Sequence, residues 1–214
     1  TIGWDQAQET ILSTFASFSA ELHAFARRAF DKRWIDAEPR DGKRGGAFCI
    51  SAPRVKESRV LCNFDGSLDQ LATVAHELGH AFHNECAYRA GKTELQQVTP
   101  MTLAETASIM CETIVNNAAL KLAANKQEEL AILESALNND GQLVVDIYSR
   151  YLFENEVFKR RSKAELSADE FNEIMEWAQV ETFGDALDPN YRQKYMWTWK
   201  SHYYRSDLSF YNYP

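Results

Sequence analysis

Residues 72–83 carry the sequence Ala72-Thr-Val-Ala-His-Glu-Leu-Gly-His-Ala-Phe-His83, whose centre at residues 76–80 fits the pattern H-E-x-x-H. Apolar residues recur around it at helical spacing, so we expect a buried or half-buried helix. Residues four apart share a helix face, so His76 and His80 can present both imidazoles to one ion. Neutral histidine nitrogen suits tetrahedral Zn²⁺, whose catalytic sites keep three protein ligands and a water. Glu77 is rotated about 100° from His76, where it can serve as the general base toward that water.

The alternative for this motif is the polar face of a surface helix that happens to carry two histidines. A solvated face would not be bracketed by apolar residues, and here they are Val74, Ala75, Leu78, Ala81 and Phe82. His83 shares the face of His76 and His80 but lies one turn further along the axis, which is a poor position in a tetrahedron. We therefore expect His83 to hydrogen-bond near the metal or to pack, although a third ligand at this position stays open.

Length and composition predict an ordinary globular protein with a substantial core. The chain has 214 residues, 45% of them hydrophobic and 25% charged. Its 31 acidic and 23 Lys and Arg residues give a net charge of −8. Because there is no basic cluster, nucleic acid and anionic membrane are not expected as partners. The sequence has no apolar run long enough to span a membrane, and its first residues lack the pattern of a signal peptide.

The cysteines indicate a reducing compartment. They are Cys49, Cys62, Cys86 and Cys111, with no C-x-x-C pair among them. This spacing fits neither a zinc ribbon nor a dense disulfide framework, so we predict free thiols and a cytoplasmic location.

Hydrophobic periodicity predicts a mainly α fold. The first long amphipathic helix is expected over residues 5–33, and the motif helix from a capping box at residues 67–70 to about Tyr88. The further helices are expected over residues 102–124, 126–139, 141–163, 167–183 and 189–204. Their breaks are predicted at residues 138–141, at a capping box over residues 167–170 and at Asp188-Pro189.

A small antiparallel β element is predicted near residues 45–64, from short strands over residues 42–50 and 58–64. Gly45 and Gly46 precede the first strand, and glycines at such a place let another backbone approach closely. They could serve a peptide that lies alongside as an added strand, or a plain hairpin bend.

The sequence offers Glu105 as the third zinc ligand, since His/His/Glu is a known catalytic set. Glu105 lies one turn into the helix that follows the motif helix, so the two helices can pair with Glu105 facing His76 and His80. However, Thr102-x-x-Glu105 is also a capping-box pattern, in which Glu105 would only satisfy its own helix. Glu112 lies on the same face as Glu105 and could accept a hydrogen bond from a ligand histidine, or it could be surface charge.

Several ordered motifs resemble the oligoendopeptidase F and thimet oligopeptidase family of zinc metallopeptidases. They are His76-Glu-Leu-Gly-His-Ala-Phe-His83, then Glu105 within Leu103-Ala-Glu-Thr-Ala-Ser108, the upstream segment Gly42-Lys-Arg-Gly-Gly-Ala-Phe48, and the tail with His202, Tyr203, Tyr204 and Ser209-Phe-Tyr-Asn-Tyr-Pro214. The resemblance spans most of residues 42–214 and is strongest to the oligoendopeptidase F branch.

The resemblance implies a zincin-like helical catalytic region within a protein about three times longer, with a channel that admits short peptides. It implies one Zn²⁺ per chain, bound by His76, His80 and Glu105, with Glu77 as the general base. The chain would then be a single catalytic-region fragment, and the missing remainder of its own longer chain would be a partner. Its parts would be an N-terminal helix and loop (1–41), the β element (42–66), the zinc-site helices (67–124) and C-terminal helices with an aromatic tail (125–214).

The resemblance also assigns roles to the C-terminal His/Tyr segment, whose donors contact substrate and stabilise the oxyanion in the family. On that match, His202 and Tyr211 are expected in catalysis, and Tyr204 and Tyr213 in substrate binding.

The predicted function is therefore zinc-dependent endopeptidase cleavage of short oligopeptides. The rival is a non-catalytic helical fragment that binds peptides or acts as a scaffold and holds zinc structurally. A structural zinc site is closed by four protein ligands, so an open fourth position distinguishes the two functions.

Overall fold

The computed structural model describes residues 1–204, apart from the side chains of Met101, Ser201 and His202. The fold is mainly α with one small sheet, so the predicted fold class is confirmed. The chain divides into two compact units, Thr1–Ala136 and Leu137–Pro214. Over the described residues, no helix is both long enough and apolar enough to cross a membrane.

The N-terminal segment forms two helices, α1 (Trp4–Phe18) and α2 (Ala20–Asp31), so the prediction of one long helix is wrong. The chain leaves helical geometry at Ser19, which has φ −153° and ψ 125°. Its hydroxyl accepts a hydrogen bond from the Leu22 N–H, and serine is a favoured residue at this N-cap position. The break is not visible in the apolar periodicity, because both helices bury an apolar face whose residues repeat at the same helical spacing.

The sheet has three strands, β1 (Ile35–Asp36), β2 (Phe48–Ala52) and β3 (Glu57–Leu61), in the order β1-β3-β2. The predicted antiparallel hairpin is present as β2 and β3. Strand β1, which was not predicted, pairs parallel with β3. Strand β2 therefore forms one edge of the sheet.

The motif helix is α3 (Leu68–Arg89), and the Ser67 half of the predicted capping box is confirmed, since its side chain accepts a hydrogen bond from the Gln70 N–H. The reciprocal half is not formed, because the Ser67 N–H donates to Asp65 Oδ1 and not to Gln70. After a 3₁₀ turn (Glu94–Gln97) come the short helix α4 (Met101–Ala104) and the long helix α5 (Thr106–Leu122). The predicted single helix from Thr102 is interrupted at Glu105, which has φ −92° and ψ 0°.

Helix α3 lies at the centre of the first unit, packed against α1, α2, α5 and the hairpin. The core is built from side chains of all these elements, including Phe15, Phe25, Leu71, Leu78 and Val115. The middle of α3, where the motif lies, is therefore held rigidly on several sides.

The remaining helices are α6 (Lys126–Gly141), α7 (Ile147–Arg161) and α8 (Ala168–Phe183), with a π-helical segment (Gln142–Asp146) directly between α6 and α7. The break predicted at residues 138–141 is therefore wrong, because Gly141 keeps helical angles of φ −61° and ψ −39°. The predicted capping box between Ser167 and Glu170 is confirmed.

The helix predicted over residues 189–204 is also wrong, although the Asp188 cap and Pro189 at the first position are confirmed. The chain forms three 3₁₀ turns instead, Pro189–Tyr191, Met196–Thr198 and Ser201–Tyr204. The buried side chain of Gln179 on α8 accepts a hydrogen bond from the Gln193 N–H at 2.9 Å and donates to the Gln193 carbonyl at 3.2 Å. These bonds satisfy the backbone groups that a continuous helix would have used.

Candidate metal centre and active site

The two motif histidines converge on one carboxylate. Nε2 of His76 lies 3.1 Å from Glu105 Oε2, and Nε2 of His80 lies 3.2 Å from the same oxygen. The two imidazole rings have centroids 5.0 Å apart and are nearly perpendicular. The structure thus brings together the three side chains that the sequence proposed as metal ligands.

Glu105 reaches the histidines because α3 and α5 approach very closely beside it. A Cβ atom built on Gly79 would lie 2.4 Å from the Ala107 carbonyl oxygen and 2.6 Å from Ser108 Cα. Only glycine fits this crossing. Our sequence analysis missed Gly79, although a glycine in a helix interior costs about 1 kcal/mol relative to alanine and usually has a packing reason.

Ser108, which the sequence analysis also missed, fixes the orientation of the Glu105 carboxylate. Its hydroxyl lies 2.6 Å from Glu105 Oε2 and 3.0 Å from the Glu105 carbonyl oxygen, and the residue is fully buried. The spacing of three residues on a helix was the available signal, since such residues are neighbours. The capping role considered for Glu105 is not observed, because its carboxylate contacts Ser108 and the histidines and the N-cap of α4 is Pro100.

Glu112 contacts the other nitrogen of His76. Its Oε2 lies 3.1 Å from His76 Nδ1, which is the hydrogen bond that the sequence suggested for a ligand histidine. When Nδ1 donates its proton to Glu112, Nε2 carries the lone pair and faces Glu105 and His80. Glu112 therefore selects the tautomer of His76 that can bind a cation.

The donor set fits a small divalent cation. His76, His80 and Glu105 each offer one ligand atom, and the three atoms lie within 4.8 Å of one another. Zinc–ligand bonds of about 2.0–2.1 Å in a tetrahedron place neighbouring ligand atoms about 3.3–3.4 Å apart. The observed separations of 3.1 and 3.2 Å are close to that edge. Two imidazoles and one carboxylate are also ligand types that zinc prefers.

The pKa values of His76 and Glu105 reflect their mutual attraction. Burial alone would lower the pKa of His76, but hydrogen bonds with Glu105 and Glu112 raise it to about 9. Burial likewise would raise the pKa of Glu105, but its hydrogen bonds with His76, His80 and Ser108 hold that pKa well below its usual range. Glu105 is therefore ionised, as a metal ligand must be.

Glu77 lies next to the first histidine and is 5% exposed. Its Oε2 has no hydrogen-bond partner among the described residues. Burial raises the pKa of this carboxyl, with a further increase from the charge of Glu105 and opposition from His76 and His80. A buried carboxylate with a raised pKa and an oxygen free to accept is what proton transfer near neutral pH requires.

Strand β2 packs against α3, the helix that carries Glu77. Cys49 on this strand has a pKa raised to about 12, mainly by burial and secondly by the negative charge of Glu77. All four cysteines are free thiols, as the sequence predicted.

Among the other predicted site residues, the structure describes His83, Tyr204 and the backbone of His202. His83 is half-buried on α3, one turn beyond His80, and is not part of the metal-capable group. His202 and Tyr204 lie in the 3₁₀ turn Ser201–Tyr204 of the second unit, where the Tyr204 hydroxyl donates to the Trp197 carbonyl at 2.8 Å. Tyr211 and Tyr213 fall outside the described residues.

Known proteins resemble the chain across almost its full length. Oligoendopeptidase F (chromosomal) of Lactococcus lactis subsp. cremoris is 30% identical over 205 residues, which cover 95% of this chain and 33% of that protein. Group B oligopeptidase PepB of Streptococcus agalactiae is 26% identical over 202 residues, covering 94% of this chain and 33% of the relative. The chain thus spans about a third of the length of the curated relatives that it matches.

Solved structures share the fold. A crystal structure from Chlamydophila abortus matches 96% of this chain and 34% of its own, with a TM-score of 0.72 and 21% identity. PZ peptidase A with inhibitor 2 matches 94% of this chain and 35% of its own, with a TM-score of 0.69 and 18% identity. Residues 11–213 also match the sequence profile of peptidase family M3. The resemblance seen in the sequence motifs is confirmed, and the chain belongs to peptidase family M3.

Proposed function

We propose that this chain carries the catalytic centre of a zinc-dependent endopeptidase that hydrolyses short oligopeptides, as a catalytic-region fragment of a longer protein. The observation that carries the proposal is the convergence of His76 Nε2 and His80 Nε2 on Glu105 Oε2, beside the buried and partly unpaired carboxylate of Glu77. The family and the names of its relatives support peptide-bond hydrolysis as the reaction.

His76, His80 and Glu105 would hold one Zn²⁺ ion. When bound, zinc lowers the pKa of a coordinated water toward about 7 and polarises the scissile carbonyl. Glu77 accepts a proton from the attacking water through its unpaired oxygen and passes it to the leaving amine. Ser108 and Glu112 hold Glu105 and His76 in position while this happens.

The outer edge of β2 is the proposed place for the peptide. This edge has no strand partner among the described residues, since β2 pairs only with β3. An extended peptide added there would gain backbone hydrogen bonds that do not depend on its side chains. Because β2 packs against α3, which carries Glu77, a peptide on this edge would lie near the helix of the proposed base.

The roles of His202, Tyr204, Tyr211 and Tyr213 stay part of this proposal, as donors to substrate and to the developing oxyanion. In other enzymes the loss of one such donor costs about 2.7–4 kcal/mol of transition-state stabilisation. Substitution of each residue singly, with kcat and KM measured separately, would identify the residue that acts in the transition state.

The central test replaces Glu77 by Gln. The E77Q variant should bind zinc in the same amount as the parent, because Glu77 is not among the three ligands. Its rate of cleavage of a quenched fluorescent peptide should fall at least about 10²-fold, since the proton acceptor is lost. E134Q, which makes the same change at an exposed position on α6, is the matched control and should retain full turnover. Undiminished cleavage by E77Q would refute the assignment of the base.

The non-catalytic alternative makes a different prediction about the metal. A structural zinc site needs a fourth protein ligand, and the metal-capable group found among the described residues has three members. X-ray absorption at the zinc edge should therefore show two nitrogen and one carboxylate ligand from protein, together with one exchangeable oxygen. A spectrum with four protein ligands would favour the scaffold.

A further inference from the structure

The loop that leads into β2, residues 42–47, is fastened from inside by two side chains. The Lys43 side chain is 2% exposed, and its ammonium donates to the backbone carbonyls of Cys62 at 2.6 Å, Asp36 at 2.9 Å and Glu38 at 2.9 Å. The Asn63 amide donates to the carbonyls of Arg44 and Gly46, both at 3.0 Å. The loop is therefore held in one shape without any contribution from its own outer surface.

These contacts leave two backbone N–H groups on the outer surface of the loop, where they can donate to a ligand. Because the Arg44 and Gly46 carbonyls point to Asn63, the N–H groups of Gly45 and Ala47, on the opposite side of the same peptide planes, point away from it. Among the described residues, neither N–H donates to a carbonyl or side chain. Gly46 has φ +78°, and a Cβ on Gly45 or Gly46 would meet nothing within 4 Å. This part of the loop is therefore uncrowded, and two of its backbone donors are unpaired among the described residues.

Arg44 adds a positive charge to this surface. The residue is exposed and makes no ion pair with any described residue, whereas the neighbouring Arg40 is paired with Asp36. Its guanidinium lies over the Phe48 ring, 5.9 Å from the ring centroid, at the first residue of β2. The stacking holds the guanidinium at the end of the strand edge.

We propose that Arg44 and the loop residues 42–47 form a carboxylate-binding subsite for the peptide. The proposal rests on the proposed function, because it places the peptide on the outer edge of β2, which this loop directly precedes. A guanidinium and backbone N–H groups together are the donors that bind a carboxylate well. The carboxylate is either the C-terminus of a short peptide or an acidic side chain, and binding of a C-terminus would favour short substrates over internal segments of proteins.

The test measures peptide binding rather than turnover, with E77Q as the background so that the peptide stays intact. Three fluorescein-labelled peptides share one sequence of about eight residues and end in a free carboxylate, in an amide, or in an amide after an added internal Glu. Fluorescence anisotropy with the zinc-loaded chain should give about five- to tenfold tighter binding for at least one of the two carboxylate peptides than for the amide. The peptide that binds more tightly identifies the source of the carboxylate.

R44Q should reduce this preference to less than about twofold, because the guanidinium is removed while the loop stays fastened by Lys43 and Asn63. The matched control is R54Q, which removes the same charge from an exposed position in the turn at the other end of β2 and should leave the preference unchanged. Equal binding of all three peptides, absence of binding, or a preference that survives R44Q would overturn the subsite. If the parent chain shows the preference but cleaves no peptide, the hydrolytic function fails while the subsite stands.

Discussion

Gly79 sets the distance between the two helices that carry the proposed metal ligands, so Gly79→Ala is the most direct test of how this site is built. A Cβ at this position would lie 2.4 Å from the Ala107 carbonyl oxygen, 2.6 Å from Ser108 Cα and 2.8 Å from Ala107 C. All three are backbone atoms, which cannot rotate away. Helices α3 and α5 would therefore have to separate by about 1 Å to restore ordinary van der Waals contact.

Two effects of this substitution oppose each other. Alanine is favoured over glycine in a helix by about 1 kcal/mol, whereas overpacking typically costs about 1–3 kcal/mol. We expect the second effect to win, with a net loss of up to about 2 kcal/mol in the free energy of unfolding. Separation by about 1 Å would lengthen the distances from Glu105 Oε2 to the histidine nitrogens to about 4 Å, beyond the tetrahedral edge of about 3.3–3.4 Å. Zinc affinity should then fall about 10- to 100-fold.

Urea unfolding of the metal-free chain and zinc titration against a chelating dye would measure these two quantities. Gly141→Ala is the matched control, because Gly141 is also helical and a Cβ there meets nothing within 4 Å. G141A should keep its zinc affinity and gain up to about 1 kcal/mol. If G79A matches G141A in both measurements, the close helix crossing is not what positions Glu105.

Two further substitutions test the supports of the site. S108A removes the hydroxyl that lies 2.6 Å from Glu105 Oε2, so zinc affinity measured by chelator competition should fall about 10- to 100-fold. The control is S135A, at an exposed position of α6. Equal zinc affinities of the two variants would show that Ser108 does not support the site. K43M leaves three backbone carbonyls without their donor, so the free energy of unfolding in urea should fall by about 2–3 kcal/mol. The control is K92M, at an exposed position. A loss in K43M no larger than that in K92M would contradict this role of Lys43.

Patterns confined to one helix were predicted well. The i and i+4 spacing of His76 and His80, the N-cap at Ser67 and the capping box at Ser167 depend only on neighbouring residues, and the structure contains all of them. Predictions of where helices stop were less successful. Ser19 breaks a helix whose apolar pattern continues, whereas Gly141 lies in a helix despite a sequence typical of turns. At Ser19 the helix break is a local cap within a continuing apolar pattern, and at Gly141 helical angles persist although a Cβ there would meet nothing within 4 Å.

The amino-acid sequence by itself determined the donor types, the shared face of the two histidines and the membership of a peptidase family. It left open whether Glu105 is a ligand or a cap, because both roles suit a glutamate near the start of a helix. Only the tertiary structure decided where the Glu105 carboxylate lies. Three features set its position: the break between α4 and α5, the close helix approach that the missing side chain of Gly79 permits, and the hydrogen bond with the buried hydroxyl of Ser108. The physical reason is that spacing along one helix is set by helix geometry, whereas the distance between two helices depends on side-chain volumes far apart in sequence.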